Sequence, residues 1–428
     1  MNERRNFLKS TGTAIIGTAV LPLTFSVQPA QASINKVLKV GLIGCGGRGT
    51  GAAAQALKAD PDAILSCMAD IFPDYLEESY NNLMMVSPNQ VKVDKTNQFI
   101  GFDAYKKVLD SDVDVVILTT PPAFRPHHFA EAVAAGKHVF CEKPVAVDAA
   151  GVRAVLEAAK KAKEKGLSVV SGFTYRYDFP KRALFEKISQ GDIGEVRSIL
   201  TVRNGGGLWY KNRRPDWTEM EYQLRNWYYY DWLSGDYIVE MMVHSLDLMS
   251  WALGGQLPVK VTGTGGRQAR TEPKWGNIYD HFAIEYEYAN GIKGMHFSRQ
   301  QQGSSNTNRA EIVGREGDAL IDIGRQTHAI RGSNSWDYEG EKNNPYETQH
   351  EELFAGIRTG KPINEGELMA NSTMLAIIGR MSAYSGQTIS WEDAIKSNLT
   401  LGPKMEEYDW DLVWQVPSVA VPGVTKVL

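Results

Sequence analysis

Apolar residues in the first part of the chain fall into short runs separated by amphipathic stretches. Residues 37–43 are almost continuously apolar, as expected of a strand that is buried on both faces. Residues 149–165 instead repeat apolar positions at helical spacing and end at Gly166. The other predicted strands are residues 63–69, 113–118, 138–141 and 167–170, and the other predicted helices are residues 51–57 and 126–135. This alternation predicts an α/β domain around a parallel sheet.

The second half of the chain follows a different pattern. Residues 282–288 alternate between apolar and polar side chains, which is typical of a strand with one face on the core. Further strands are predicted over residues 196–203, 259–264 and 292–298. Helices are predicted over residues 237–251, 347–357 and 367–384. The pattern therefore favours a second domain that is richer in strands.

Composition limits the classes of protein to consider. With 428 residues the chain can form two full domains, and 43% hydrophobic and 22% charged residues exclude a largely disordered protein. A net charge of −4 without a long basic run argues against nucleic acid as the main partner. Three cysteines cannot build a disulfide framework. No Cys/His spacing suits a metal, and no apolar run could span a membrane once a signal is removed.

The first 32 residues have the pattern of an export signal. Arg4 and Arg5 open a basic head, residues 14–27 are mildly apolar, and Ala30 and Ala32 supply a small-residue cleavage pattern. The paired arginines, followed by Phe-Leu-Lys, resemble a twin-arginine signal, whose transport route carries folded proteins. We therefore predict a periplasmic or otherwise exported protein. Folded export would allow a cofactor to be loaded before transport.

Residues 44–49 read Gly-Cys-Gly-Gly-Arg-Gly, between the first predicted strand and a predicted helix. Such a glycine turn lets the backbone approach the pyrophosphate of a dinucleotide at a helix N-terminus. Asp70 ends the next strand, where a carboxylate can accept hydrogen bonds from the adenosine ribose hydroxyls. Ile71 and Phe72 follow Asp70, so no cation is placed to meet a 2′-phosphate. The pattern favours NAD over NADP.

Several motifs together resemble one enzyme family. They are the glycine turn, Thr120-Pro121, the string Gly-Lys-His-Val-Phe-Cys-Glu-Lys-Pro over residues 136–144, and residues 235–247. In these motifs the chain is similar to the Gfo/Idh/MocA oxidoreductases, which include glucose–fructose oxidoreductase and inositol dehydrogenase. The resemblance implies a Rossmann NAD-binding domain over residues 33–172. It also implies a C-terminal domain over residues 173–428 with a large open mixed β-sheet, closing helices within residues 347–384 that pack back on the first domain, and a homo-oligomer.

The predicted catalytic residues are Lys143, His244 and Glu240. Lys143 would lie beside a bound nicotinamide, where it can handle a proton. His244 is expected to share one helix face with Glu240 and Asp247. Two carboxylates would keep the imidazole basic, so we expect its pKa near or above about 6.5. The family usually has Asp where this chain has Glu240, and the extra methylene leaves a substrate contact by Glu240 open.

The predicted binding residues form two groups. Cofactor binding is expected from Gly44, Gly46, Gly47, Arg48, Gly49, Asp70, Thr120, Pro121, Glu142 and Lys143. Substrate binding is expected from Tyr175, Arg176, Trp227, Tyr228, Glu240, His244 and Asp247. Residues 209–232 are dense in Trp and Tyr with interleaved Arg, Asn and Asp. This composition suits a stacked pyranose ring or a dimer contact, and both interpretations stay open.

These observations predict an exported NAD-dependent carbohydrate oxidoreductase with a tightly bound cofactor. By analogy with the family, a ring hydroxyl of a sugar or glycoside is oxidised, with C3 as a natural site. A second interpretation is an NAD-dependent glycosidase that oxidises the sugar, eliminates the glycosidic substituent and re-reduces the ring. A third, a non-catalytic sugar-binding protein, is disfavoured because Lys143 and His244 are both present.

Overall fold

A parallel sheet organises the first domain of the computed structural model, which describes residues 36–428. Its strands are β1 (Leu38–Ile43), β2 (Ala63–Asp70), β3 (Gln98–Ile100), β4 (Val115–Leu118), β5 (His138–Cys141) and β6 (Val169–Ser171). The helices that cover it are α1 (Gly47–Ala59), α2 (Pro73–Val86), α3 (Ala104–Asp110), α4 (Arg125–Ala134) and α5 (Ala149–Glu164). The predicted signal peptide, residues 1–32, lies outside the described residues.

The six strands run in the order β3-β2-β1-β4-β5-β6, and every neighbouring pair is parallel. The predicted α/β fold of this domain is thereby confirmed. The chain reverses its direction across the sheet between β1 and β4, and open α/β sheets bind ligands in the crevice at such a point. The glycine turn follows β1, and Thr120 and Pro121 follow β4, so both lie at this crevice.

The second domain is built on a nine-stranded mixed sheet. Its strands are β7 (Val196–Gly205), β8 (Lys260–Gly266), β9 (His281–Glu287), β10 (Lys293–Gln300), β11 (Thr307–Gly314), β12 (Gly317–Asp322), β13 (Thr327–Gly332), β14 (Trp336–Asp337) and β15 (Ile389–Ser390). The spatial order is β14-β13-β12-β11-β7-β10-β9-β8-β15. Only the β10–β7 pair is parallel among these described neighbours, so the predicted mixed sheet is confirmed.

Helices of the second domain cover one face of this sheet and reach the first domain. They are α6 (Phe179–Gln190), α7 (Glu219–Arg225), α8 (Asp231–Ser234), α9 (Tyr237–Glu240), α10 (Val243–Ala252), α11 (Pro345–Arg358), α12 (Gly366–Ser385) and α13 (Trp391–Lys396). Helix α12 is buried on all sides because it lies between α5 of the first domain and β8 and α10 of the second. Helix α11 packs on α1. These contacts place the two sheets on either side of a shared interior.

The helix predicted over residues 237–251 is interrupted. The N–H groups of Met241 and Met242 both donate to the carbonyl of Tyr237, at 2.9 and 3.2 Å, and a new helix, α10, then begins at Val243. The extra residue changes the helical register between Glu240 and the helix that follows. Side chains before and after the interruption therefore do not share the single face that an unbroken helix would give them.

Residues 36–428 contain neither a membrane-spanning helix nor a cluster of metal ligands. No helix in this range is long and apolar enough to cross a membrane. Within the same range, no three His, Cys, Asp or Glu side chains come together as a metal site. The cysteines Cys45, Cys67 and Cys141 are buried free thiols.

Candidate active site

The turn after β1 is shaped for close approach of a ligand to the backbone. Gly44 has a φ of 96°, a conformation that favours glycine. A Cβ atom on Gly49 would lie 1.9 Å from the carbonyl oxygen of Gly44, so a side chain does not fit there. Cβ atoms on Gly46 and Gly47 would meet nothing within 4 Å, which leaves open space at the start of α1. An anion in that space would meet the N–H groups of the helix N-terminus.

Asp70 ends β2 beside this turn. Its Oδ2 atom accepts a hydrogen bond from the Cys45 N–H at 2.6 Å, and its Oδ1 atom accepts one from the Phe72 N–H at 2.8 Å. Burial raises the pKa of Asp70 to about 6, so the carboxylate is ionised at neutral pH. Each carboxylate oxygen can accept a second hydrogen bond, as binding of ribose hydroxyls requires.

A cavity of about 810 Å³ extends from the glycine turn along the carboxyl ends of β2 and β4. Its first-domain lining includes Gly44, Gly46, Gly47, Arg48, Gly49, Asp70, Thr120 and Pro121. The second domain contributes Trp209, Lys211, Leu224, Arg225 and Trp227. We refer to this cavity as the cofactor cleft. Its volume is typical of sites for organic ligands, and the glycine turn, the carboxylate and the helix end together fit NAD.

Glu142 is buried behind the cofactor cleft. Its Oε1 atom lies 3.2 Å from Nε of Arg48, and the Arg48 guanidinium carbon lies 5.1 Å from the centroid of the Tyr346 ring. A Cβ atom on Gly172 would lie 2.6 Å from Oε2 of Glu142, so this carboxylate rests against the Gly172 backbone. Arg48 itself lines the cleft. Glu142 therefore holds Arg48 at the glycine turn.

Lys143 and Glu240 join the two domains beyond the carboxyl end of β5. Nζ of Lys143 lies 2.9 Å from Oε1 of Glu240 and also donates to the backbone carbonyl of Glu240. The side chains are largely buried, with 12% and 15% of their surface exposed. An ammonium group has three N–H donors, and these contacts use two. One donor of Lys143 is thus available to a substrate oxygen, while the Glu240 carboxylate is occupied by Lys143.

His244 lies near the start of α10. Its ring centroid is 5.1 Å from that of Tyr175 and 5.9 Å from that of Phe173. Burial lowers the pKa of His244 well below its usual value, and the nearby charges of Lys143 and Arg203 lower it further. Our prediction of a pKa near or above the usual value is wrong, because the two carboxylates expected beside the imidazole have other partners.

The partner of Asp247 is Arg176. Oδ2 of Asp247 accepts a hydrogen bond from Nε of Arg176 at 2.9 Å, and Oδ1 accepts one from Nη2 at 2.9 Å. The hydroxyl of Ser372 also donates to Oδ1, at 2.7 Å. Asp247 is fully buried, and the Arg176 guanidinium lies over the Trp251 ring. Asp247 and Arg176 thus form a buried ion pair between α10, α12 and the segment after β6, which corrects the expected pairing of Asp247 with His244. Their substrate contacts stay predictions.

This correction predicts a stability effect at Asp247. We expect Asp247→Asn to lower the free energy of unfolding by about 3 kcal/mol, as is typical when one partner of a buried ion pair is neutralised. Chemical denaturation measures the change. Asp337→Asn is the matched control, because its pair with Arg331 is exposed and should leave the denaturation midpoint unchanged. A normal midpoint in Asp247→Asn, together with a raised KM for sugar, would instead assign Asp247 to the substrate site.

The remaining predicted substrate residues lie in three environments. The Tyr228 side chain is buried, and its hydroxyl donates to Oε1 of Gln300 at 2.9 Å, so this hydroxyl has a partner within the protein. Trp227 lines the cofactor cleft. Tyr175 lies beside His244, and its hydroxyl accepts a hydrogen bond from Nδ2 of Asn308 at 3.5 Å. Of the aromatic residues predicted to bind sugar, Tyr175 is the one beside the predicted catalytic histidine.

Several site residues were not predicted. Arg203 on β7 donates to the carbonyl of Met241 at 3.2 Å and acts on His244 through its charge. Nothing in the sequence could indicate this, because the two residues meet only when β7 pairs into the sheet under α10. Trp209, Lys211 and Arg225 line the cofactor cleft. The density of Trp, Tyr and Arg in residues 209–232 predicts a sugar site or a dimer contact, not a wall of the cofactor cleft.

A glycine turn on a six-stranded parallel sheet, with a carboxylate at the end of the next strand, is typical of a dinucleotide-binding Rossmann domain. A second domain lies across the cofactor cleft. Residues 38–171 match the family model described as "Oxidoreductase family, NAD-binding Rossmann fold". Residues 182–320 match the "GFO/IDH/MocA C-terminal domain". The chain belongs to the Gfo/Idh/MocA oxidoreductase family, and its cofactor is NAD.

Relatives with known names extend the comparison. Myo-inositol 2-dehydrogenase of Thermotoga maritima is 24% identical over 371 residues, which cover 84% of this chain and all of the relative. Inositol 2-dehydrogenase of Rhizobium meliloti is 26% identical over 65% of this chain and 74% of its own. The structure of aldose-aldose oxidoreductase from Caulobacter crescentus superposes with a TM-score of 0.66 at 20% identity, over 83% of this chain and all of the other. Sugar and polyol dehydrogenases thus share this fold.

Asp70 should set the choice of dinucleotide. A 2′-phosphate on the adenosine ribose would lie against an ionised carboxylate, and a like-charge contact of this kind costs several kcal/mol. We expect Asp70→Ser to narrow the preference for NAD over NADP by about tenfold or more. Because the pKa of Asp70 is about 6, the wild-type preference should also weaken as the pH falls below that value. Calorimetric titration with each dinucleotide measures both effects, and tighter wild-type binding of NADP would contradict this role.

Proposed function

We propose that the protein is an exported carbohydrate oxidoreductase that oxidises a ring hydroxyl of a sugar or glycoside and retains its NAD through turnover. The observation that carries this proposal is the juxtaposition of Lys143, Glu240 and His244. Lys143 follows β5, the strand that pairs with β4, and the residues directly after β4 line the cofactor cleft. Paired arginines and the Ala-x-Ala sequence near the N-terminus support export. Inositol dehydrogenases among the relatives support a polyhydroxylated ring as the substrate. By analogy with sugar-oxidising members of the family, we assign the oxidation to C3.

Bound NAD would accept a hydride from the substrate carbon that bears the reacting hydroxyl. The chain must then remove the hydroxyl proton and stabilise the oxygen as negative charge develops on it. The remaining N–H donor of Lys143 suits the second task, because its ammonium is held in place by Glu240. Glu240 is therefore assigned to orient Lys143.

His244 suits the proton-accepting task. Within residues 36–428 its Nδ1 atom has no hydrogen-bond partner, although that atom is buried. Burial, together with the charges of Lys143 and Arg203, lowers the pKa of His244, so the imidazole is unprotonated at neutral pH and can accept a proton. In the reverse direction, in which the carbonyl group is reduced, a protonated His244 would give its proton back readily because its pKa is low.

A redox-neutral glycosidase is the second candidate. In that reaction C3 is oxidised, a base removes the C2 proton, the glycosidic substituent leaves C1, water adds, and the hydride returns to C3. The enclosure of the cofactor cleft by both domains favours such a cycle, because NAD is regenerated without leaving. In the oxidoreductase, reduction of a second, carbonyl-bearing sugar by the bound NADH would regenerate NAD in the same way.

Product analysis tests the proposal and separates the candidates. The purified protein is incubated with a panel of pyranosides, and the products are identified by mass spectrometry. An oxidised sugar two mass units lighter supports the oxidoreductase, whereas a free monosaccharide without net cofactor reduction supports the glycosidase. Binding of a glycoside without either product would contradict both and leave a sugar-binding protein.

A further inference from the structure

Part of the second domain forms one wall of the cofactor cleft. This wall belongs to residues 209–227, which lie between β7 and α8. The opposite wall, from the first domain, includes Phe72, Phe102 and Phe124. A dinucleotide in the cleft would therefore lie between two domains, and its release depends on how firmly these walls are joined.

Arg225 joins the walls directly. Its side chain is only 10% exposed, and its Nη1 and Nη2 atoms donate to Oδ2 and Oδ1 of Asp74 at 2.9 and 3.1 Å. Its guanidinium carbon lies 4.0 Å from the centroid of the Phe72 ring. Asp74 lies in the first turn of α2, directly after the loop that carries Asp70. One bidentate pair and one cation–π contact thus tie α7 to the segment predicted to bind the adenosine ribose.

A C-terminal segment, residues 405–416, joins the walls a second time, and we refer to it as the strap. The ring centroid of Trp410 is 5.6 Å from that of Phe72 and 4.8 Å from that of Phe102. The ring centroid of Tyr408 is 5.0 Å from that of Phe124. The strap therefore supports three aromatic residues of the first-domain wall from behind.

The other side of the strap is fixed to the second domain. The backbone carbonyl of Trp414 accepts a hydrogen bond from Nε2 of Gln223 at 3.1 Å, and the Trp414 ring packs on Trp232. Gln223 lies on α7, two residues before Arg225. The strap and Arg225 are consequently anchored to the same short helix, so both links open together if α7 moves away from the first domain.

We propose that Arg225, Asp74 and the strap form a clasp that closes the adenosine end of the cofactor cleft and sets the rate at which NAD leaves, an inference that rests on the proposed retention of NAD. Arg225 is a positioning residue in this arrangement. Its Nε atom donates to Oε1 of Glu221 on the same helix at 2.8 Å. Because Glu221 stays with Arg225 when the bond to Asp74 breaks, the guanidinium keeps one partner and the clasp can open reversibly.

The test measures release of the reduced cofactor from the intact protein. The holoprotein is loaded with NADH and mixed with excess NAD, and the loss of bound NADH fluorescence gives the dissociation rate. We expect Arg225→Met and Asp74→Asn each to raise this rate by about tenfold, because losing one partner of an interfacial charge pair mainly speeds dissociation. The double variant should release NADH no faster than Arg225→Met alone, since Arg225→Met already removes both the ion pair with Asp74 and the contact with Phe72. Trp410→Ala should also speed release.

Arg213→Met is the matched control. Arg213 belongs to the same segment and pairs with Glu219 of that segment at 2.6 Å, so its loss removes a charge but no link between domains. Release from this variant should match wild type. Thermal unfolding of each variant without cofactor reports the fold, and Asp74→Asn keeps the test decisive if Arg225→Met does not fold, because the Asp74 side chain is 59% exposed.

NADH release at the wild-type rate from folded Asp74→Asn and Trp410→Ala would overturn the clasp. Equal acceleration by Arg213→Met would overturn it as well, because charge alone would then explain the effect. The chase contains no sugar, so a clasp that behaves as expected in a protein that turns over no glycoside would leave the inference standing and contradict the proposed function. Normal sugar oxidation, with NADH release unchanged in the variants, would overturn the clasp and leave the proposed function standing.

Discussion

Lys143→Ala should lower the rate of sugar oxidation by about 10²- to 10³-fold, the loss typical when one donor to a developing negative charge is removed. Alanine removes the N–H donor that the structure leaves for a substrate oxygen, and it also leaves the Glu240 carboxylate without its partner at 2.9 Å. Cofactor binding should change little, because the glycine turn and Asp70 are distant along the chain and keep their own contacts. Single-turnover rates of cofactor reduction measure the first effect, and calorimetry with NAD measures the second.

Variants of Glu240 separate the orienting role of Glu240 from the direct role of Lys143 at the substrate oxygen. Glu240→Gln keeps a hydrogen-bond acceptor for Lys143 but removes the negative charge, so we expect a smaller loss than in Lys143→Ala. Glu240→Asp, which restores the residue usual in the family, should be milder still. Near-normal turnover in a folded Lys143→Ala variant would remove Lys143 from the mechanism.

His244→Gln is the second change with a large expected effect. Glutamine keeps a polar group of similar reach but cannot accept a proton, so the rate of oxidation should fall by about 10²-fold or more. The pH profile carries the more specific prediction. Because burial and the charges of Lys143 and Arg203 lower the pKa of His244 well below 6.5, the imidazole stays neutral as the pH falls through 6.5. Wild-type activity should therefore begin to fall only at a pH well below 6.5, where His244 becomes protonated.

The rate of cofactor reduction, measured against pH in wild type and His244→Gln, checks this assignment. The acid limb should be absent from the residual rate of the variant. His281→Gln is the control, since His281 lies on β9, pairs with Asp280 and is 40% exposed. An acid limb that persists unchanged in His244→Gln would assign the titrating group elsewhere.

The dinucleotide half could be predicted in detail because its signals are local. An apolar run, a glycine turn and a carboxylate at the next strand end follow one another along the chain, and the structure brings them to one crevice. The backbone geometry that requires glycine at Gly44 and Gly49 is a short-range property, so it is visible in the sequence.

The substrate half of the site is harder to predict from the sequence, because its contacts join residues that are distant along the chain. Glu240 and Asp247 fit one face of an ideal helix, but the shift in hydrogen bonding at Met242 interrupts that face. Lys143 forms an ion pair with Glu240 from the other domain, and Arg176 forms one with Asp247. Periodicity along one segment cannot show which of two carboxylates a distant cation will occupy.

The strap shows the same limit more strongly. Residues 408–416 place an apolar side chain at every second position, which is typical of a strand, yet the segment pairs with neither sheet. Its rings pack on both domains, with Trp410 on the first and Trp414 on the second. Their role depends on two walls that are built elsewhere in the chain, so composition alone could not indicate it.

The absorbance of the bound cofactor tests the central claim most directly. The protein is loaded with NAD, freed of excess dinucleotide by gel filtration, and mixed with each sugar or glycoside of the panel while absorbance is followed at the NADH band. We expect one substrate class to reduce the bound NAD in a single turnover, with the signal remaining on the protein after filtration and disappearing when a second, carbonyl-bearing sugar is added. No absorbance change with any pyranoside, from a protein that demonstrably holds NAD, would contradict the assignment of this site to sugar oxidation.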